Sequence, residues 1–259
     1  MSPLTYPIAS WPSFLSGALL VLIRVSALMV FAPIFSSAAI SPRVKTAFVF
    51  AITVLIAPAT ALVPNSRPSL DMQALLGELS VGLIFGLSLT LLNEALVFAG
   101  WLLGVEFSFS LVNLMDPNSM IETPVLGQLL GWLGVLVLIG AGIDRTILAA
   151  FVRSFSVLPV GTAALSATSA ATVAKLGGGI FLAGLQLAGP VVAAALAVDV
   201  SIALVSRLSP QIPAMVLGVP TKTMVAYTVL LGSLAVWPAW IERHFVALLN
   251  SAERLMVHA

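Results

Sequence analysis

Residues 105–130 read VEFSFSLVNLMDPNSMIETPVLGQLL, and they interrupt a chain that is otherwise almost continuously apolar. The stretch holds three carboxylates, Glu106, Asp116 and Glu122, and no basic residue. From Glu106 to Leu111 polar and apolar residues alternate, which puts Phe107, Phe109 and Leu111 on one side of an extended segment and Glu106, Ser108 and Ser110 on the other. Asp116-Pro117-Asn118-Ser119 then carries Pro at the second position of a turn. Leu114, Met115 and Met120 add apolar side chains that adapt to irregular surroundings. Such a segment either lines or obstructs an opening, or it is a plain extramembrane connector, and composition does not separate the two.

The flanks decide the class. Of 259 residues 60% are hydrophobic and 8% charged, against about 25% charged in an ordinary soluble domain. The chain therefore reads as an all-α membrane protein in contact with lipid or with membrane partners. Eleven Lys and Arg against ten Asp and Glu leave a formal charge of +1, so no basic field exists to attract nucleic acid. Without Cys there are no disulfides, thiolate metal sites or thiol nucleophiles. The two His, His244 and His258, lie near the C-terminus and leave little for a metal site. The start, MSPLTYPIASWPSF, lacks a positive region before its first apolar run, so the first hydrophobic helix is expected to stay in the protein.

Working outward, apolar runs of membrane length, about 18 residues or more, recur along the chain. A first helix is expected over Phe14 to Phe35 with Arg24 inside it, and a second over Arg43 to Val63, opened by Ser41-Pro42. Pro64 to Ser69 reads as a loop. Leu70 to Val105 is a long apolar stretch broken by Glu78 and by Asn93-Glu94. Beyond the central segment, Thr123 caps a helix over Val125 to Ile143, with Pro124 at its first position. Thr146 to Leu158 continues it or forms a short helix. Leu176 to Val205 contains Pro190, a kink, and Asp199; Thr221 to Leu249 is bent near Pro238.

Glycines recur at four-residue spacing, as Gly82 and Gly86, Gly100 and Gly104, and Gly127 and Gly131. This places each pair on one helix face, where another backbone can approach. Gly177-Gly178-Gly179 is a hinge or close-packing point, since no Lys, Ser or Thr follows in phosphate-loop register. No GxSxG, HExxH, GxxxxGK or strand-linked GxGxxG occurs, so enzymatic chemistry has no signature. The charges inside apolar stretches are Arg24, Glu78, Glu94 and Asp199. Each needs a partner, water or the aqueous edge, because hydrocarbon charges it about 3 kcal/mol or more. One reading pairs Arg24 with an acid inside an assembly; the other makes Asp199 or Glu94 a proton carrier in a transporter.

Four segments together carry a family resemblance: ISPRVKTAFVFAITVLIAPA (Ile40 to Ala59), GVEFSFSLVNLMDPNSMIETPVLGQLL (Gly104 to Leu130), LPVG (Leu158 to Gly161) and LVSRLSPQIPAMVLGVP (Leu204 to Pro220). They resemble the FliR family of flagellar type III export proteins, and the injectisome counterparts, the SctT group, share the pattern. The resemblance implies kinked helical hairpins in a hetero-oligomeric export gate in the bacterial inner membrane and flagellar basal body. It implies FliP and FliQ as channel partners, FlhB and FlhA as contacts, and unfolded export substrates, with no cofactor. It implies a FliP-like part over 1–175, including a pore plug within 105–124, and a FliQ-like hairpin over 176–259. The plug residues it implies are Phe107, Phe109, Leu111, Leu114, Met115, Asp116, Pro117 and Met120. The chain departs from the family pattern at Gly142-Ile143-Asp144-Arg145 and at Asp199.

Positive residues sit at nearly every turn, at Arg43 and Lys45, Arg145 and Arg153, Lys175, Arg207 and Lys222, and Arg243. The positive-inside rule gives no consistent orientation from such a distribution. At least one apolar run is therefore expected not to cross the bilayer as a simple span. Single cysteines at Asn65, Asn118, Lys175 and Lys222 should fail to alternate between the two sides when labelled with an impermeant maleimide; strict alternation would restore a conventional topology.

Overall fold

The computed structural model describes residues 11–31, 40–107, 125–163, 167–209 and 214–257. Every regular element among them is a helix: α1 (Trp11–Phe31), α2 (Pro42–Thr60), α3 (Met72–Glu106), α4 (Val125–Gly140), α5 (Ile143–Val157), α6 (Ala167–Leu208), α7 (Ala214–Leu234) and α8 (Trp237–Val257). Four are long and apolar enough to cross a membrane, namely α1, α2, α3 and residues 177–208 of α6, and the number rises to six if the broken pairs α4 with α5 and α7 with α8 each make one span. With 35 and 42 residues, α3 and α6 exceed the length of about 20 that a bilayer needs.

Local chemistry sets the helix ends. Ser41 is the N-cap of α2 with extended backbone, followed by Pro42 at the first position. The Ser41 carbonyl accepts from the N–H groups of Val44 and Lys45 at 3.0 and 3.2 Å. Glu106, expected to open an extended segment, is the last residue of α3. The Phe107 N–H donates to the Leu103 carbonyl at 2.9 Å, so the helical bond pattern persists one residue into the alternating stretch. Gly142 separates α4 from α5 with φ +68, a conformation suited to glycine. The bend expected near Pro238 within Thr221 to Leu249 is a break between two helices, α7 and α8, bent by 59°. Pro238 lies at the second position of α8, where its missing N–H has no helical partner to lose. Pro190 is inside α6, which begins earlier than expected, at Ala167.

The chain forms two compact units, residues 1–91, 142–177 and 245–259 in the first and residues 92–141 and 178–244 in the second. The first unit is centred on α1, the first half of α3, and α5. Leu20, Val21, Val25 and Leu28 of α1 are buried together with Val81, Ile84 and Phe85 of α3 and Phe151 and Phe155 of α5. The spacing of three and four residues on each helix makes these continuous faces. Phe85 and Phe155 each meet Phe151 edge to face, with centroids 5.8 and 5.5 Å apart. Gly82 lies against the Arg24 carbonyl and Ala27, and Gly86 against Phe31 and Leu28, so α1 and α3 approach backbone to backbone. The Thr90 hydroxyl reaches the Phe31 carbonyl at the end of α1.

In the second unit Gly100 of α3 abuts the backbone of Gly127 on α4, and Gly184 of α6 fits against Ala95, Phe98 and Ala99. The ring of Phe98 meets Phe181 edge to face at 5.2 Å. Gly131 faces the Asn93 side chain at 3.2 Å from where a Cβ would stand. Gly104 is buried, and nothing among the described residues lies within 4 Å of a Cβ built there.

These contacts order the glycines by cost. Gly82→Leu and Gly100→Leu should each destabilise the folded protein by about 1–3 kcal/mol or more, because the added side chain meets backbone that has no rotamer to change. Gly104→Ala should be neutral or slightly stabilising, since Ala favours a helix by about 1 kcal/mol over Gly. Thermal unfolding of the detergent-solubilised variants measures both.

Candidate functional site

Two charged clusters stand out against the apolar helices, one in each unit. In the first, Arg24 of α1 and Glu78 of α3 are both 0% exposed, and Arg24 Nε is 2.5 Å from Glu78 Oε2. Arg24 Nη1 donates to the Ser154 hydroxyl at 3.3 Å and Nη2 to the Leu158 carbonyl at 3.1 Å. The Phe155 ring lies 4.3 Å beneath the guanidinium carbon, adding a cation–π contact. The other Glu78 oxygen, Oε1, accepts the Gly161 N–H at 2.8 Å. Gly161 has φ +79, and a Cβ there would overlap the Arg67 carbonyl, so glycine alone suits this corner. Arg67 in turn donates its N–H to the Val160 carbonyl at 2.9 Å. The guanidinium and the carboxylate are thus each held by several partners, the condition under which a buried ion pair is tolerated.

The second cluster is at the root of the central segment. Lys222 Nζ of α7 is 2.8 Å from Glu106 Oε2, at the end of α3, and 2.7 Å from Asp199 Oδ2 on α6. One residue further on, the Phe107 ring stacks on Tyr227 with centroids 4.3 Å apart and planes at 22°. Phe107 is buried. The point at which the chain leaves α3 is therefore fixed to α7 by an ion pair and a stacked ring, and to α6 through the shared ammonium.

The charges foreseen in the sequence divide. Arg24 and Glu78 meet, while Glu94 is exposed and Asp199 is half-exposed, so these two are not buried charges within the chain. The reason is position: Arg24 and Glu78 lie on the faces shared by α1 and α3, whereas Glu94 and Asp199 lie on outward faces of α3 and α6. Phe109, Leu111, Leu114, Met115, Asp116, Pro117 and Met120 lie outside the described residues, as do Thr123 and Pro124. Lys222, Tyr227, Ser154 and Phe155 were not singled out as site residues. The signal for Lys222 was available as a cation two residues after Pro220 inside an apolar run. Among the described residues no three His, Asp or Glu gather where a metal could be held.

Comparison with known proteins decides the family. The model of the bacterial export proteins, family 1, matches residues 15–248. The chain belongs to that family. Its similar proteins include the flagellar biosynthetic protein FliR of Escherichia coli (strain K12), 28% identical over 243 residues that cover 93% of this chain and 92% of that one. The protein of the same name from Bacillus subtilis (strain 168) is 27% identical over 234 residues, 87% of each chain. That of Aquifex aeolicus (strain VF5) is 25% identical over 235 residues, 90% of each. The resemblance read from the four sequence segments is upheld, and both clusters lie inside the matched region. LPVG, one of those segments, supplies the Leu158 carbonyl and the Gly161 N–H to the buried pair.

A buried pair in this export-family member should show a characteristic asymmetry. Arg24→Met leaves the Glu78 carboxylate buried beside one N–H donor and should cost about 3–5 kcal/mol. The double variant Arg24→Met, Glu78→Leu should recover most of that loss. Denaturation in detergent of the single and double variants measures the difference; equal losses in both would remove the ion pair as its source.

Proposed function

We propose that the chain is a non-enzymatic core subunit of the flagellar type III protein export gate in the bacterial inner membrane. In this reading it assembles with FliP and FliQ type subunits into the channel entered by unfolded flagellar proteins, and FlhB and FlhA type proteins contact the assembly. Residues 1–175 serve as the FliP-like part and 176–259 as the FliQ-like hairpin. The central segment helps to close the pore. The observation that carries this reading is the anchored root: Glu106 and Phe107 are held by Lys222 and Tyr227, so the segment starts from a fixed point on α7. A connector with no closing role has no need of an ion pair and a stacked ring at its first two residues.

A wide apolar surface supports a role inside lipid and an assembly. Leu55, Trp132, Leu136, Phe181, Leu208 and Met224 are all more than half exposed. Surface of that kind is covered in a membrane by acyl chains or by other subunits. Arg24 is committed to Glu78, Ser154 and Leu158 within one unit, so it is not free to pair with Asp199 or Glu94 as a transporter reading would have it.

Removing residues 110–120 tests the closing role. Complexes should assemble at the usual yield, since the helix faces are unchanged, while the resting membrane becomes leaky to ions and small solutes. Conductance of reconstituted complexes reads this; a pore as tight as before would refute the closure, and loss of assembly would make the segment structural instead.

A further inference from the structure

One ammonium and two carboxylates meet where α3, α6 and α7 converge in the second unit, and their sum is one negative charge. Glu106 is largely covered, its side chain 16% exposed, but Asp199 is 46% exposed. Its neighbours on the α6 surface are Leu196, Val200 and Leu204, exposed by 54, 60 and 58%. These three recur every fourth residue and form a stripe along one helix face. Asp199 follows Leu196 by three residues and precedes Val200, so its carboxylate stands at the edge of that stripe. Arg207 is eight residues on, about 12 Å along the axis, which is too far to neutralise it directly.

Neither simple environment suits this face. Hydrocarbon covers the three aliphatic side chains but penalises the carboxylate. A water-filled passage solvates the carboxylate but leaves the stripe wet. A second helix that packs on the stripe and presents a cation at its edge satisfies both demands. We infer that Leu196, Asp199, Val200 and Leu204 of α6 are a docking face for a partner helix of the export assembly, apolar along its contact surface and bearing one Lys or Arg set against Asp199. The inference rests on the reading of the chain as a subunit of a hetero-oligomeric gate. The sign of the charge is the selective element: a partner presenting a carboxylate is repelled by the same group.

The test uses the full chain co-expressed with the other gate subunits and purified in detergent as the complex. Asp199→Lys should lower the recovery of partner subunits per chain at least tenfold, and Asp199→Glu should keep it near the original value. A photo-crosslinking residue at Leu196 should join the chain to one gate subunit, with the adduct lost in Asp199→Lys. Recovery unchanged in Asp199→Lys, or adducts to lipid alone, overturns the inference. Should Asp199→Lys fail to accumulate, Val200→Cys with Asp199 kept supplies a second reading, since the chain has no other thiol. Protection from a water-soluble maleimide in the complex, together with labelling of the isolated chain, supports docking; rapid labelling in the complex means a water-filled face and overturns it. A chain with its original sequence that recovers no gate subunit sinks the assembly reading itself and is recognisable as that failure.

Discussion

The buried Arg24–Glu78 pair is the constraint on which the first unit depends. An arginine has no place on an apolar helix face unless every donor finds an acceptor, and here the acceptors come from widely separated parts of the chain. Glu78 is 54 residues away, Ser154 is 130 and Leu158 is 134. Helices α1, α3 and α5 are therefore held at one mutual arrangement, since a shift of any of them strands a charge in a dry interior. The glycines at 82 and 86 make this geometry possible by letting α3 come close enough for Glu78 to reach the guanidinium without extending past it.

Much of the helical content was legible because its signals are local. Ser41-Pro42 marked the start of α2, and the uncharged run after Pro124 marked α4. The break near Pro238 was also visible, although it is a full turn between two helices and not a bend in one. What sequence could not supply was pairing. Arg24 had three acids as possible partners, and only packing selected Glu78 over Glu94 and Asp199. Of the alternation starting at Glu106 only the first two residues are described, and two residues of a period-two pattern are equally compatible with the end of a helix, where the Leu103 carbonyl remains available to Phe107. For Gly104 a four-residue spacing puts two glycines on one face but says nothing about what lies opposite, and no described residue does.

The two clusters treat charge in opposite ways. Around Arg24 the donors and acceptors close on themselves, leaving nothing for an outside group to recognise. Around Lys222 the account stays open, with one carboxylate in excess and turned outward. Closed networks rigidify an interior, whereas open ones specify what may come next to them. The family model matches residues 15–248, which include both arrangements.

The long sequence separations around Arg24 also bear on how the protein is made. When α1 and α2 have been synthesised, no acid has yet appeared, since Asp71 is the first in the chain. Until Glu78 is present the arginine lacks its counter-ion, and its charge needs solvent. It gains its counter-ion only when the first part of α3 emerges, and the Gly161 amide that completes the shell of Glu78 arrives some eighty residues later. The order in which Arg24, Glu78 and Gly161 occur along the chain is thus the order in which the members of this network become available.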